Sequence, residues 1–342
     1  MPVLTPSSLL ADWTASPAGL ALVGVVTVPY AVAVLRARAS GVPWPWRRPA
    51  LFLLAGVGSL AYAVCGPLAV HRTEVFWIAC LQVGVLASLT PVGLALGDPV
   101  GLVRARSRAA GGERTPLLLR LVEGRVARVL TFPAVGSGLA VGTVLLVMLT
   151  PWFAQTMVSP TSAVVLYVVL LGSGLLFVLP LLTEELLPRW ATPPVRTFLA
   201  FIDGLLDAVP GIVVMTSSVL LVPSFPGFAS GASGLTPLMD QRLGGGAMLA
   251  VAEAVGLPVI GAVFVEWIRS DERDAREVDA RLDDEALTAA APGVAPAAAP
   301  AAAPGTVQTA APAVGEPAPP VANSVLWWEQ DPRMAGRFRQ RD

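Results

Sequence analysis

The chain is poor in almost every residue type that soluble enzymes place at their surfaces and active sites. It has no lysine, one histidine and two cysteines, and only 14% of its 342 residues are charged. Soluble globular chains carry about 25% charged residues, so this composition excludes an ordinary soluble domain. Two cysteines are too few for a secreted disulfide framework. The sequence also contains no Walker loop, no nucleophile elbow and no histidine pair, so we do not expect an enzyme.

Hydrophobic residues make up 54% of the chain, and its mean hydropathy is +0.68. Apolar runs long enough to cross a hydrocarbon core of roughly 30 Å recur along it. We therefore predict an all-α polytopic membrane protein with about seven transmembrane helices. The predicted spans are residues 18–36, 50–70, 75–97, 131–150, 162–182, 195–222 and 244–268.

Arginine counts in the connecting segments predict the orientation of these spans. When arginines at the adjoining span ends, such as Arg196, are counted with each segment, the segments after the first, third, fifth and seventh spans hold two or more arginines, and the others hold one or none. Segments rich in arginine stay on the cytoplasmic side of a membrane. This alternation predicts that the N-terminus lies outside and the C-terminus inside.

Composition also divides the chain into segments. Alternating acidic and basic residues after the last span indicate a solvated helix, and a run of Ala and Pro then indicates a disordered linker. The final aromatic and basic patch could dock on a partner, on the membrane surface or on the protein's own face. The predicted segments are 1–17, extracytoplasmic; 18–268, the membrane domain, with an interfacial arginine-rich loop at 104–130; 269–286, a charged cytoplasmic helix; 287–322, the linker; and 323–342, the tail.

Three carboxylates within the predicted spans are candidate functional residues. Asp203 and Asp207 are four residues apart and share one helix face, and Glu253 lies in the outer half of the seventh span. Ionisable residues are costly in hydrocarbon and tend to be functional. The cluster could bind a cation, relay protons or form a neutral hydrogen-bonded network.

Sulfur-bearing residues are the second candidate group. Cys65 and Cys80 are predicted near the outer ends of the second and third spans, and His71 lies between them in the sequence. Met215 and Met248 also fall in the predicted outer half. Thiolates and thioethers are soft ligands that suit Cu(I), although methionine and cysteine also serve as ordinary packing residues in a core.

Three passages of the chain resemble the CtaG family of cytochrome c oxidase assembly proteins. Residues 240–246 (DQRLGGG), followed by Glu253 and by 267–276 (WIRSDERDAR), are similar to the family's closing signature. Residues 91–99 (PVGLALGDP) resemble the end of its third helix, and 174–180 (GLLFVLP) a later stretch. By this resemblance, which covers about residues 20 to 285, the chain is identified as a member, with a tail similar to that of actinobacterial members.

The resemblance implies a seven-helix protein of the bacterial plasma membrane that helps deliver copper to the oxidase on the outer face. Copper is then the implied cofactor, and oxidase subunits or other assembly factors are the implied partners within the lipid bilayer, with no nucleic acid. The family's third-helix motif, H-x-x-Q-H, matches residues 79–83, where Gln82 remains and Ala79 and Val83 replace the histidines.

Other histidine positions of the family are also replaced in this chain. The histidine before the sixth-helix glycine corresponds to Asp207, and the fifth-helix histidines fall near Ala163 and Tyr167. The implied histidine site for copper is therefore absent.

The leading hypothesis is a divergent, non-catalytic assembly factor in which sulfur replaces histidine. The candidate metal ligands are Cys80, Cys65, Met215, Met248 and His71. The residues predicted to shape or gate the site are Gln82, Asp203, Asp207, Asp240, Gln241 and Glu253. The alternatives are a metal-free scaffold of the same fold and a proton or small-ion transporter that uses the carboxylates within the spans.

Overall fold

The computed structural model describes residues 7–109, 124, 132–182 and 193–290. All regular secondary structure in these residues is helical, which confirms the predicted all-α class. The chain comprises a first unit, Met1–Asp284, and a second unit, Glu285–Asp342. Only residues 285–290 of the second unit are described, as the last residues of a helix.

Fourteen α-helices are described, and they range from the four residues of Ser8–Ala11 to the 54 residues of Pro237–Ala290. In chain order they are α1 Ser8–Ala11, α2 Pro17–Ala39, α3 Arg47–Leu51, α4 Gly58–Val64, α5 Pro67–His71, α6 Phe76–Gly84, α7 Thr90–Leu96, α8 Pro99–Ala109, α9 Pro133–Leu149, α10 Trp152–Val158, α11 Pro160–Leu182, α12 Pro193–Thr216, α13 Pro226–Ser230 and α14 Pro237–Ala290. Two π-helical segments, Phe52–Val57 and Val85–Leu89, join α3 to α4 and α6 to α7.

Six stretches of the described chain are long and apolar enough to span a membrane, and a bent pair of helices makes a seventh. In chain order these spans are Pro17–Ala39, Arg47–His71, Phe76–Ala109, the pair Val135–Leu149 and Trp152–Val158, Pro160–Leu179, Thr197–Thr216 and Pro237–Leu287. We refer to them below as the first to seventh spans. The prediction of about seven transmembrane helices is thereby confirmed.

The bend in the fourth span follows from its proline. The two helices of this span meet at 71°. Thr150 has an extended backbone, with φ −120° and ψ 158°, because the residue before a proline is disfavoured in the α conformation. Pro151 then leads directly into α10, a helix that lies in a segment expected to be a connecting loop.

The third span differs from its sequence prediction at its far end. The helix pauses at Gly97 and at Asp98, which has a positive φ of 47°, a conformation that aspartate tolerates better than most residues. It then resumes as α8 because Pro99 suits a first helical position and Asp98 Oδ1 accepts the Gly101 N–H at 2.8 Å. The first part of the predicted interfacial loop is therefore helical up to Ala109, and residues 110–123 and 125–131 of it lie outside the described residues.

The spans pack closely where glycines face each other. A Cβ on Gly56 would lie 2.8 Å from the Leu94 backbone nitrogen, so the second and third spans are in backbone contact there. A Cβ on Gly211 would lie 2.8 Å from the Leu249 backbone nitrogen, which places the sixth and seventh spans equally close. Small residues serve this purpose in membrane helix packing, where no hydrophobic driving force pulls helices together.

Contacts distinguish the two ends of the bundle. At the N-terminal end, where the first span begins, Phe76 packs edge-on against Phe153 and Phe225, with ring centroids 5.8 and 5.1 Å away. At the opposite end, the Tyr30 hydroxyl donates to the Gly97 carbonyl at 2.7 Å. There Arg48 also forms an ion pair with Asp98 at 2.8 Å.

Candidate functional site

A buried arginine organises the N-terminal end of the bundle. Arg72 lies in the turn between the second and third spans and is only 5% exposed. It donates from Nη1 to the Tyr167 hydroxyl at 2.7 Å and from Nη2 to Thr156 Oγ1 at 2.9 Å. These bonds join the turn to the fifth span and to α10.

Arg72 forms no ion pair with a carboxylate in the described part of the chain. Burial lowers the pKa of its guanidinium, and the Tyr167 hydroxyl partly opposes that shift. The normal pKa of arginine is so high that the group remains charged at physiological pH. The end of the bundle therefore contains a buried positive charge held by neutral hydroxyls.

Gln82 extends this network into the third span. Its Nε2 donates to the Ala63 carbonyl at 2.6 Å and to the Tyr167 hydroxyl at 3.3 Å. The Tyr167 hydroxyl thus accepts hydrogen bonds from both Gln82 and Arg72. We refer to Arg72, Gln82, Thr156 and Tyr167 as the arginine network; of these, Gln82 was predicted as a functional residue.

Asp240 caps the third span from a different helix. Its carboxylate oxygens, in the first turn of the seventh span, accept the backbone N–H groups of Phe76 at 3.2 Å and of Trp77 at 2.9 Å. The first N–H groups of a helix have no partner within it, and negative charge at this terminus is favourable. Asp240 is 1% exposed, so it acts as a buried cap.

Gln241 holds the segment that follows the sixth span. Its Oε1 accepts the Leu221 N–H at 2.7 Å, and its Nε2 donates to the Val219 carbonyl at 3.0 Å. The side chain is fully buried. This anchoring accounts for the end of the sixth span at Thr216, earlier than the predicted 222, because the polar backbone that follows is bound by Gln241 and does not continue the helix.

The two cysteines are buried, and both are free thiols. A Cβ on Gly19 of the first span would lie 2.8 Å from Cys65 Sγ. A Cβ on Gly244 of the seventh span would lie 2.8 Å from Cys80 Sγ. The two sulfurs therefore pack against different helices.

His71 is fully buried and pairs with Asp12, whose Oδ2 lies 3.0 Å from His71 Nε2. Its Nδ1 is buried with no hydrogen-bond partner. The Thr14 N–H also donates to the Cys65 carbonyl at 2.8 Å. These contacts tie the segment before the first span to the end of the second.

The remaining candidates lie apart from the arginine network. Met248 and Asp207 line a cavity among the spans, and the Met215 backbone packs against Gly245. Glu253 is exposed, and the side chain of Asp203 lies outside the described residues. Of the two carboxylates whose side chains the structure describes, Asp207 lies on an internal surface and Glu253 does not.

The residues predicted to bind a metal contact different parts of the bundle and do not form one cluster. Within the residues that the structure describes, no group of three or more His, Cys, Asp and Glu side chains could hold a metal ion. Sequence reasoning did not select Arg72, Thr156 or Ser88 of the cavity wall. A usable signal for Arg72 was available, since it is the single arginine of a connecting segment predicted to lie outside.

Six or seven apolar helices with buried polar contacts at one end define a polytopic helical membrane protein. Its sequence matches the family described as cytochrome c oxidase caa3 assembly factor (Caa3_CtaG) over residues 28–270, and the chain belongs to that family.

Similar proteins are found in mycobacteria. An uncharacterized protein of Mycobacterium bovis and one of Mycobacterium tuberculosis are each 26% identical over 265 residues, which is 76% of this chain and 40% of the relative. An uncharacterized protein of Mycobacterium leprae is 26% identical over 279 residues, 78% of this chain and 41% of the relative. The chain thus spans about 40% of the length of these curated relatives. No solved structure matches the chain.

Proposed function

We propose that this protein is a non-catalytic membrane factor for the maturation of cytochrome c oxidase in the bacterial plasma membrane. Membership of the assembly-factor family, over residues 28–270, is the observation that supports this proposal. Oxidase subunits or other assembly factors are the proposed partners. The burial of Arg72, Asp240 and Gln241 in contacts within the chain fits a structural role better than a reactive site.

Removing the gene from its native host tests this proposal. We expect a loss of spectroscopically detectable, assembled oxidase and recovery when the full chain is supplied again. Unchanged amounts of assembled oxidase after removal would overturn it.

The finer proposal is that the protein contributes to copper delivery on the outer face. Cys80 is the best candidate for a Cu(I) ligand, because its thiol lies beside Gly244 in the same buried region as Asp240. Thiolates favour Cu(I). Cys65 is the matched control, since it is also a buried free thiol but packs against the first span.

Copper titration of the purified protein tests this finer proposal. We expect Cu(I) binding by the unmodified chain and by Cys65→Ser, and loss of binding in Cys80→Ser. Equal binding by all three proteins would exclude Cys80 as a ligand.

A second candidate is a metal-free scaffold, and the arginine network favours it. Tyr167 lies near a position where the family resemblance implies a histidine ligand, and Gln82 lies in its third-helix motif. Here the Tyr167 hydroxyl accepts hydrogen bonds from the positive guanidinium of Arg72 and from Gln82. Like charges repel strongly in a buried site, so a copper ion next to Arg72 would be destabilised.

The two candidates differ in a measurable way. A scaffold predicts no Cu(I) binding and full copper loading of the oxidase in cells that carry Cys65→Ser and Cys80→Ser together. Copper delivery through Cys80 predicts a copper-deficient oxidase in the same cells.

A further inference from the structure

A cavity lies among five of the spans. On the third span its wall begins at Val83, directly after Gln82 of the arginine network. The cavity measures about 60 Å³, whereas a single water needs roughly 10–15 Å³. Its wall combines residues of the third to seventh spans. These are Val83, Gly84, Ala87, Ser88, Val92, Ala140, Val141, Val144, Phe177, Val178, Ala200, Gly204, Asp207, Pro210, Met248, Ala252, Val255, Gly256, Val259 and Ile260.

Among the wall residues that the structure describes, all but two have apolar side chains. Asp207 is the single ionisable residue of this set, and Ser88 is the other side chain with a hydrogen-bonding group. Asp207 makes no hydrogen bond or ion pair with any other residue that the structure describes. An unpaired carboxyl group in an apolar membrane interior is costly, and a hydrogen-bond donor that enters the cavity would lower this cost.

Irregular helix geometry accompanies this site on two of its walls. Ala87 and Ser88 belong to the π-helical segment Val85–Leu89, and such segments occur frequently at functional sites. Pro210 lies inside the sixth span, where a proline removes the hydrogen bond to the carbonyl four residues earlier. That carbonyl belongs to Leu206, the residue before Asp207, so the helix is irregular directly beside the carboxylate.

We propose that this cavity binds one end of a lipid-soluble molecule that carries a hydrogen-bond donor, such as a hydroxyl or ammonium group, on an apolar chain. The donor group meets Asp207, and the adjoining chain contacts the valine- and alanine-rich wall. The small volume limits the bound part to the head and a few carbons, with the rest of the molecule among the lipid chains. This site is separate from Cys80 and from the arginine network.

Photo-crosslinking to the full chain in phosphatidylcholine nanodiscs tests this proposal. The probe is an octylamine derivative with a diazirine on its chain, and the competitors are octylamine, octanol and octane. We expect crosslinks to map to the cavity wall and the competitors to rank amine first, alcohol second and alkane last. A hydrogen bond to a charged group is strong enough for roughly a tenfold difference between amine and alkane.

Substitutions separate recognition of the head group from simple partition into the membrane. Asp207→Leu, which removes both acceptor oxygens and has a similar volume, is expected to remove the ranking, and Ala140→Leu is expected to block the cavity. The matched controls are Gly138→Leu, on the same helix with nothing within 4 Å of its added Cβ, and Glu253→Gln, an exposed carboxylate outside the wall. Equal crosslinking in all variants, crosslinks spread over the lipid-facing surface, or equal competition by octane would each overturn the proposal.

Discussion

Arg72 is the residue whose environment is hardest to reconcile with an ordinary membrane turn. A buried charge normally needs an oppositely charged partner, because removing it from water costs several kcal/mol. Arg72 instead relies on Tyr167 and Thr156, and its Nε has no partner. Such a group stabilises the fold only while every remaining hydrogen bond is intact.

This dependence predicts an asymmetry between Arg72 and Tyr167. Tyr167→Phe leaves the guanidinium buried with one partner fewer and should cost about 1–3 kcal/mol of unfolding free energy. Arg72→Met removes the charge and fills similar space, so it should be close to neutral. Thermal unfolding of detergent-solubilised protein, followed by circular dichroism, measures both changes.

The double variant provides the control. With methionine at position 72, Tyr167→Phe should cost clearly less than it does alone, because no charge remains to be left unpaired. Additive effects of the two substitutions would contradict this account of the arginine network.

Asp240 leads to a second prediction at the scale of single residues. Asp240→Ala removes the acceptor for two backbone N–H groups at the start of the third span. We expect a loss of about 1–3 kcal/mol, as for other buried donors left without a partner. Asp240→Asn keeps one acceptor oxygen and should lose less, whereas Asp271→Ala, on the exposed part of α14, should be neutral. A destabilisation by Asp271→Ala as large as that by Asp240→Ala would argue against the cap.

Residue types could be predicted at this scale more readily than residue roles. Asp240, Gln241 and Gln82 were selected because they lie in passages that resemble the CtaG family. Their structural partners are backbone groups from other helices: the Phe76 N–H, the Leu221 N–H and the Ala63 carbonyl. Those contacts depend on how the spans pack, which a single sequence does not specify.

At the scale of helices, the backbone contact between the sixth and seventh spans leads to a further prediction. A Cβ on Gly245 would lie 2.6 Å from the Gly211 carbonyl oxygen, so Gly245→Ala should force the two helices apart. Overpacking of this kind costs about 1–3 kcal/mol. The neighbouring Gly246 is the matched control, since its added Cβ would meet only Met215 Sδ at 3.9 Å.

The two alanine variants should therefore change stability in opposite directions. Gly246→Ala gains helix propensity of about 1 kcal/mol without a clash. Unfolding midpoints measured side by side would show this contrast. If Gly245→Ala were as stable as Gly246→Ala, the backbone contact between the sixth and seventh spans would not exist.

Hydropathy predicted the long helices because each must bury its backbone in hydrocarbon. It did not predict the π-helical segments Phe52–Val57 and Val85–Leu89, whose residues are as apolar as their neighbours. The bend at Pro151 was within reach of sequence reasoning, since proline restricts the preceding residue. The position of α10 directly after Pro151 depends on the packing of Phe153 against Phe76.

At the scale of the whole molecule, the two ends of the bundle have different chemistry. The N-terminal end contains buried polar contacts that involve Arg72, Asp240 and Gln241. The opposite end contains the Arg48–Asp98 ion pair, and most arginines of the sequence belong to segments on that side of the spans. Because arginine-rich segments remain in the cytoplasm, the N-terminal end is predicted to face outward.

Reporter fusions along the full chain test this orientation. An enzyme that is active only in the cytoplasm should work when fused within 110–123 or after Asp342, and a reporter active only outside should work within 231–235. Arg72 and Arg242 are the two arginines in segments predicted to lie outside, and Arg72 is the buried one. Its burial removes it from the segment that interacts with the membrane surface, so Arg72→Gln should leave the reporter pattern unchanged. Fusions within 110–123 and after Asp342 that report opposite sides would contradict the odd number of spans, and with it the shared location of Asp240, Gln241 and the arginine network on the outer face.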